Sequence, residues 1–161
     1  MERLKEILTY NPETGMFCWR VSLSNRRKAG HVAGCICKTY GYRIIGIDGH
    51  VYRSSRLAYL YMMDKFPDDL IDHINGIRSD DRWCNLRCAT HSQNHMNIPH
   101  QRNNTLGLKG VYFHKQSGKY CARITVNRRT TALGLYKTPA EAYTAYCNAA
   151  TALHGNFANI Q

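Results

Sequence analysis

The stretch IDHINGIRSDDRWCNLR, residues 71–87, places an acid beside a histidine at Asp72 and His73. Asn75 and the glycine after it favour a tight turn, and the polar Asn85 follows near the end of the stretch. Adjacent side chains on a strand point to opposite sides, so the acid and the imidazole would serve different partners. Two interpretations compete: a metal ligand beside a general base, or a helix cap beside a surface imidazole.

Two patterns upstream of this stretch predict local structure. The segment GYRIIGIDGHVYRSS alternates around its central Asp48-Gly49 pair, which predicts a hairpin with that pair as its two-residue turn. The segment RLAYLYMMDKF predicts a helix that Ser54 or Ser55 caps. The 71–87 stretch therefore follows a hairpin and a helix.

The charge of the chain is +11 at pH 7, and it is uneven along the sequence. Residues 1–100 carry 14 Lys and Arg against 10 Asp and Glu, whereas residues 101–161 carry 8 against 1. Such a basic chain favours a polyanionic partner, and nucleic acid is the commonest one. A basic protein without such a partner is the alternative.

Other bulk features narrow the class of protein. Apolar residues make up 43% of the 161 residues, enough for a packed core, and no apolar run is long enough to span a bilayer. The N-terminus MERLKEILTY predicts an amphipathic helix and not an export signal, because charges interrupt it. The seven cysteines follow no regular framework, which indicates reduced thiols in the cytoplasm.

Residues 110–136 predict three short antiparallel strands with period-two alternation. One predicted face is apolar: Val111, Phe113, Tyr120, Ala122, Ile124, Val126, Leu133 and Leu135. The following segment predicts a helix with Thr138 as N-cap, Glu141 completing a capping box and Gly155 as its stop. The pattern therefore predicts a three-stranded sheet backed by one helix, with a polar and basic face left open.

This order of strands and helix, carried by KGVYFHKQSGKYCARI, LGLYKTPAEAYTAY and AATALHG, resembles the ethylene-response-factor (APETALA-type) DNA-binding domain of plants. In that family the sheet enters the major groove, and side chains on its open face contact DNA. The resemblance implies these DNA-binding residues: Lys109, Tyr112, His114, Lys119, Arg123, Thr125, Arg128 and Arg129. Several arginines of the plant pattern are replaced here, and Ala132 stands where a tryptophan is expected, so the plant target sequence does not transfer.

The longer stretch IDHINGIRSDDRWCNLRCATHSQNHMN, residues 71–97, resembles the HNH endonuclease motif of phage and mobile-intron nucleases, in the variant whose last position is Asn. The segments NPETG and GHVYRSSRLAYLY also resemble parts of these proteins. The resemblance implies an α+β fold with an N-terminal ββα-metal nuclease module and β-hairpins. Family members often carry His just before RLAY, where this chain has Ser55, and no catalytic role is assigned to that position.

The resemblance also assigns roles to four residues. It implies that Asp72 and Asn94 bind a metal, that His73 is the general base that activates water, and that Asn85 braces the loop and orients the His73 ring. Two protein oxygens completed by water or phosphate suit Mg²⁺, with Mn²⁺ as a substitute. Each residue also has an ordinary structural role: a core histidine, a turn former or a surface amide.

A rival pattern of zinc-binding residue types overlaps this stretch. Cys84, Cys88, His91 and His95 follow the spacing C-x3-C-x2-H-x3-H. The two pairs lie too close for the loop that a zinc finger usually places between them. The spacing therefore disfavours a structural zinc site.

Together these features predict a nuclease domain at 1–97, a linker at 98–106 and an ethylene-response-factor-like DNA-binding domain at 107–161. The predicted activity is site-specific, metal-dependent hydrolysis of double-stranded DNA, with nicking by a monomer favoured because each chain has one site; a dimer stays open. The resemblance implies a homing-type or phage-encoded enzyme in a bacterial or phage-infected cell. The alternatives are a DNA-binding regulator with a vestigial nuclease site, and a junction or RNA nuclease.

Overall fold

The structure, a computed structural model, describes residues 2–99 and 104–160. Within these residues it is an α+β protein with four small antiparallel sheets and four α-helices, which confirms the predicted α+β class. The ββα-metal arrangement stays a prediction. The chain divides into two compact units, Met1–Thr90 and His91–Gln161. The predicted domain limits at residues 97 and 107 differ from this division and stay a prediction. Four residues of the predicted linker, 100–103, lie outside the described residues.

The first unit contains three of the sheets. Its elements are α1 (Glu2–Ile7), β1 (Leu8–Asn11), β2 (Met16–Trp19), β3 (Cys35–Ile36), β4 (Arg43–Ile47), β5 (His50–Arg53), α2 (Ser54–Met63), β6 (Leu70–His73) and β7 (Leu86–Ala89). Strands β1 and β2 pair, β4 lies between β3 and β5, and β6 pairs with β7. Every pairing is antiparallel, so short hairpins build the unit.

The turn between β4 and β5 is the predicted Asp48-Gly49 pair, and both residues have positive φ, 47° and 80°. Positive φ at both central positions is the conformation that matches the twist of a hairpin, and the Asp-Gly pair favours it. The predicted serine cap of α2 is wrong. Arg53 is the N-cap, and Ser54 and Ser55 are buried inside the first turn.

One hydrophobic core holds the helices and hairpins of the first unit together. Its buried members are Leu4, Ile7, Leu8, Tyr10, Phe17, Trp19, Ala33, Ile45, Ile47, Leu57, Ala58, Leu60 and Leu86. The β6–β7 hairpin joins this core through Leu86, and Ile71 and Trp83 pack against its edge. The hairpin that carries Asp72 and His73 is therefore anchored on the shared core.

The β1–β2 hairpin also holds the loop between β6 and β7. The Tyr10 hydroxyl donates to the Asp81 carbonyl at 2.6 Å, and the Trp83 N–H donates to the Pro12 carbonyl at 2.9 Å. Burial raises the pKa of Tyr10, so the phenol remains a donor. Gly15 lies so close that a Cβ there would overlap the backbone at Asp81 and Arg82. The N-terminal hairpin thus fixes the backbone at Asp81.

The second unit is a three-stranded sheet with one long helix. Its elements are α3 (His91–Asn97), β8 (Val111–His114), β9 (Lys119–Val126), β10 (Arg129–Tyr136) and α4 (Pro139–His154). Strand β9 lies between β8 and β10, and α4 packs on this antiparallel sheet, which confirms the predicted arrangement. The capping box is present: Thr138 Oγ1 accepts from the Glu141 N–H at 3.2 Å, and Glu141 accepts from Thr138 N–H.

One side-chain direction in this sheet differs from the prediction. The register shifts between Ala132 and Gly134, so Leu135 pairs with Cys121 and lies on the open face. It is 47% exposed. An extra residue in one strand reverses the alternation beyond it, which a strict period of two does not anticipate.

None of the helices in the described segments, 2–99 and 104–160, has the length and apolarity that a membrane crossing requires.

The close approach at Gly15 yields a test of the anchoring. Gly15→Ala combines the strain of positive φ with overlap against the loop backbone, and we expect the free energy of unfolding to fall by about 3 kcal/mol. Gly30→Ala is the control: its φ is 81° against 72° at Gly15, and nothing lies within 4 Å of its Cβ position. It should cost about 1 kcal/mol. Equal losses in urea denaturation would contradict the overlap.

Candidate functional site

Asp72 and His73 end strand β6, and their neighbours on β7 differ. In the antiparallel register Asp72 faces Arg87 and His73 faces Leu86. Directly opposed residues of two strands share a face, so the two adjacent side chains point to opposite sides of the hairpin. Both are buried. The acid and the imidazole thus have separate partners, as the sequence predicts.

Asp81 is a hydrogen-bond partner of the imidazole. His73 Nε2 lies 2.8 Å from Asp81 Oδ1, and the two side chains are 4% and 2% exposed. Excluding water strengthens a hydrogen bond of this kind, because the local dielectric is low. The Tyr42 ring lies on the same histidine, with 5.9 Å between ring centroids. His73 is therefore held by a carboxylate and flanked by an aromatic ring.

Asn85 closes the loop between the two strands. Its Oδ1 accepts from the Asn75 N–H at 3.0 Å, and its Nδ2 donates to Asn75 Oδ1 at 3.0 Å and to the Asp80 carbonyl at 2.8 Å. These bonds satisfy the amide and join both ends of the loop. This geometry supports the predicted bracing of the loop by Asn85, and its predicted role in orienting the His73 ring stays a prediction. The described hydrogen bond to the ring comes from Asp81.

Asp80 joins the same network through its side chain. It accepts from Arg82 Nε at 2.7 Å and Nη2 at 2.6 Å, and from Asn75 Nδ2 at 2.7 Å. The paired hydrogen bonds from Arg82 lower the pKa of Asp80 to about 2. Asp80 is therefore ionised at neutral pH and holds the loop just before Asp81.

Asp72, the predicted metal ligand, forms an ion pair across the hairpin. Arg87 Nε and Nη2 lie 2.8 and 2.7 Å from Asp72 Oδ2. A carboxylate with an amide oxygen is a donor set that suits Mg²⁺. In the described residues no cluster of three His, Cys, Asp or Glu side chains forms a metal site.

Asn94, the second predicted ligand, lies on the second unit, and the four residues of the disfavoured zinc pattern are exposed. Asn94 is half-buried on α3, in the second unit, and its pairing with Asp72 stays a prediction. Cys84 and Cys88 are exposed free thiols of the first unit. His91 and His95 are exposed on α3.

Residues 52–96 match the family model described as HNH endonuclease. The match supports the HNH family. It indicates a nuclease, it implies DNA as a substrate, and HNH nucleases generally use a divalent metal. Searches of curated proteins and of solved structures found no match. The match ends at residue 96, so the resemblance of the C-terminal residues to the ethylene-response-factor domain stays a prediction.

The predicted DNA-binding residues of the second unit form most of one sheet face. Tyr112 pairs with Cys121 and His114 with Lys119, and Arg123 and Thr125 continue the same side of β9. The Arg123 guanidinium carbon lies 4.8 Å from the Tyr112 ring centroid. The Thr125 and Thr130 hydroxyls are 2.8 Å apart, and His114 Nδ1 is 2.9 Å from Ser117 Oγ. The face therefore presents cations beside an aromatic ring.

Three predicted residues lie outside that face. Asn127 and Arg128 form the β9–β10 turn with positive φ, 49° and 65°, which puts the Arg128 side chain at the hairpin tip. Arg129 pairs with Val126, on the side of the sheet that α4 covers.

Lys109 donates to the carbonyls of Met96 and Ile98, each at 2.5 Å, at the end of α3. Burial lowers its pKa to about 8. Both features favour a structural role for Lys109, as a cation at a helix C-terminus, over the predicted DNA contact.

Sequence reasoning missed Asp81 and Arg87. The pair Asp80-Asp81 is visible in SDDR, but no periodicity tells which carboxylate turns inward. Arg87 lies directly across from Asp72, but the register that pairs them is visible in the structure and not in the sequence.

The depressed pKa of Asp80 predicts a specific dependence of stability on pH. A carboxyl whose folded pKa is about 2, against an ordinary 3.8, stabilises the fold above pH 4 and loses this contribution as pH falls from about 4 to 2. Asp80→Asn should lower the free energy of unfolding at pH 7 by about 1 kcal/mol after solvent screening. It should also flatten the profile between pH 4 and 2.

Denaturation followed by circular dichroism from pH 2 to 7 measures both effects. Asp68→Asn is the control, since it removes the same charge from a side chain that is 91% exposed. An Asp80→Asn profile as steep as that of the wild type would contradict the role of Asp80.

Proposed function

We propose that this chain is a site-specific, metal-dependent DNA endonuclease that hydrolyses phosphodiester bonds with His73 as general base. The observation that carries the proposal is the buried hydrogen bond of 2.8 Å between His73 Nε2 and Asp81 Oδ1, inside the segment that matches the HNH endonuclease model. A buried carboxylate that holds an imidazole is typical of a base that must keep one tautomer. The described residues of each chain carry one such site, which favours a monomer that nicks one strand.

In our proposal the hydrogen bond between His73 and Asp81 also selects the nitrogen that acts. With Nε2–H donated to Asp81, the lone pair of the neutral ring is on Nδ1. In our proposal Nδ1 takes the proton from the attacking water, and the Asp81 carboxylate stabilises the imidazolium that forms. Asn85 acts indirectly in this proposal, because its hydrogen bonds to Asn75 and Asp80 hold the loop that carries Asp81.

Asp72 and Asn94 are the residues that we propose to hold the divalent metal, Mg²⁺ or its substitute Mn²⁺. When bound, such an ion stabilises the negative charge that develops on the phosphate and the leaving oxygen. Arg87 contributes from the protein side: its ion pair holds the Asp72 carboxylate in one orientation. The ββα arrangement of β6, β7 and α3 belongs to the same proposal.

The second unit supplies affinity for double-stranded DNA in this proposal. A sheet ribbon fits the major groove, and cations on its face and at its tip neutralise phosphates. Tyr112, Arg123 and Lys119 on the open face, with Arg128 at the turn, support this role. The setting of a homing-type or phage-encoded enzyme rests on the sequence resemblance alone.

A DNA-binding regulator with a vestigial nuclease site is the second candidate. The observation that favours it is the Asp72–Arg87 ion pair, because Arg87 neutralises the carboxylate that a cation would need. Metal-dependent nicking of DNA by the wild-type chain would exclude this candidate.

His73→Ala tests the catalytic proposal. Losing the general base should reduce the rate of Mg²⁺-dependent cleavage by about 10²–10⁴-fold. Asp81→Asn keeps an acceptor for Nε2–H and removes the charge, so its rate should lie between that of His73→Ala and that of the wild type. The measurement is single-turnover nicking of supercoiled phage or host DNA that contains the target.

His50→Ala is the matched control, since His50 is an exposed histidine on β5. It should cleave at the wild-type rate. Equal product from His73→Ala and wild type would remove His73 from the mechanism.

Arg123→Gln and Arg128→Gly test the DNA-binding face. Each should reduce the slope of log affinity against log salt by about 0.9, the loss of one phosphate contact. Glycine at 128 also accepts the positive φ of the turn, so the fold should not suffer. Fluorescence anisotropy of a labelled duplex in EDTA gives the slopes. Lys137→Gln, an exposed charge at the base of α4, should leave the slope unchanged, and an equal slope in all three variants would contradict the proposed face.

A further inference from the structure

Two arginines of the first unit gather on one tyrosine ring. The guanidinium carbon of Arg53 lies 4.3 Å from the Tyr42 ring centroid, and that of Arg78 lies 5.2 Å from it. The separation of the two guanidinium carbons therefore cannot exceed the sum of these two distances, which is about one Debye length at moderate salt. Arg53 ends β5, and Arg78 lies in the loop that follows His73, so chain segments far apart in sequence contribute them.

These two positive charges have no acidic partner among the residues that the structure describes. The described ion pairs of the first unit engage Arg3, Lys5, Lys65, His73, Arg82 and Arg87, and none involves Arg53 or Arg78. A tyrosine face compensates a cation only in part. Two positive charges that are held together without a carboxylate favour the binding of an anion.

The donors of the cluster are also largely unused. A guanidinium has five N–H donors. The described hydrogen bonds of Arg78 use one nitrogen, Nη1, which donates to the Tyr40 carbonyl at 3.0 Å, and they use none of Arg53. Both side chains are exposed, while the ring between them is half-buried. The bond to Tyr40 orients Arg78 and leaves the remaining donors of both arginines to a ligand.

The cluster lies next to the candidate general base. The Tyr42 ring that carries both arginines is the ring whose centroid is 5.9 Å from that of His73. Arg78 lies in the loop between β6 and β7 that Asn85 braces, so Arg78 and Asp81 belong to the same braced loop. An anion bound by the arginines would therefore lie beside the Tyr42 ring, which also contacts His73.

We propose that Arg53, Tyr42 and Arg78 form a phosphate clamp that binds a backbone phosphate of the DNA substrate beside the scissile one. This proposal rests on the proposed function of the His73 site and names a residue set that positions its substrate. Planar guanidiniums bind phosphate oxygens through paired hydrogen bonds. By binding a neighbouring phosphate, the two arginines would fix the position of the DNA strand at His73 without touching the reacting atoms.

DNA binding by the full-length chain tests the clamp without any cleavage. Arg53→Gln and Arg78→Gln are compared with the wild type on a labelled duplex of arbitrary sequence in EDTA, over a range of salt concentrations. Each variant should lose about three- to tenfold in affinity at moderate salt and about 0.9 in the salt slope. Arg53→Lys and Arg78→Lys keep the charge and should recover the slope, with part of the affinity, because lysine is a point charge.

Arg3→Gln is the matched control. It also removes one arginine from the first unit, but Arg3 is already engaged with Asp48 and Glu6. It should bind DNA with the wild-type slope. Wild-type slopes for Arg53→Gln and Arg78→Gln, or the same loss in Arg3→Gln, would overturn the clamp.

Two further arms identify the source of the phosphate. In a calorimetric titration with inorganic phosphate we expect no saturable binding that depends on Arg53 or Arg78. If the wild type binds phosphate, the glutamine variants do not, and their affinity for DNA is unchanged, the cluster binds free phosphate and the proposal is overturned. A loss confined to single-stranded RNA would overturn it as well. The binding arms do not depend on catalysis, so a wild-type chain that fails to cleave DNA removes the proposed function and leaves this test of the clamp intact.

Discussion

The hydrogen bond between His73 and Asp81 is the interaction on which the rest of the site depends. Two side chains that are almost fully buried must meet at 2.8 Å. His73 ends strand β6, whereas Asp81 lies in the loop between β6 and β7. The loop that carries Asp81 is fixed from two directions. Asn85 ties it from within, and the Tyr10 hydroxyl and the Gly15 backbone hold it from the N-terminal hairpin. Much of the first unit therefore serves to position one carboxylate.

Charge is distributed unevenly around this site. The acidic side chains near it are each engaged: Asp72 with Arg87, Asp80 with Arg82, and Asp81 with the imidazole. The basic side chains that surround Tyr42 have no such partner in the described part of the chain. Neutralised acids do not repel a polyanion, and uncompensated arginines attract one. The surface around the histidine is thus electrostatically suited to a phosphate backbone.

Local features of the fold could be predicted from the sequence, whereas long-range features could not. The Asp48-Gly49 turn and the Thr138–Glu141 capping box depend on a few neighbouring residues, and both are present. The face of Leu135 was predicted wrongly, because one extra residue in β10 changes the register without a sequence signal. In the site, Asp72 and His73 were recognisable as a pair. Their partners across the hairpin and the loop depend on tertiary packing, which no local pattern contains.

The contact between Tyr10 and Asp81 also determines when the site can form. These residues are 71 positions apart, so the loop can reach its final conformation only after the chain has closed over that distance. Closing such a long loop costs entropy before any contact compensates for it, so non-local pairings of this kind slow folding. During synthesis the N-terminal hairpin is made before the segment that contains His73 and Asp81. The chain therefore acquires its candidate base and the carboxylate that orients it in the same step.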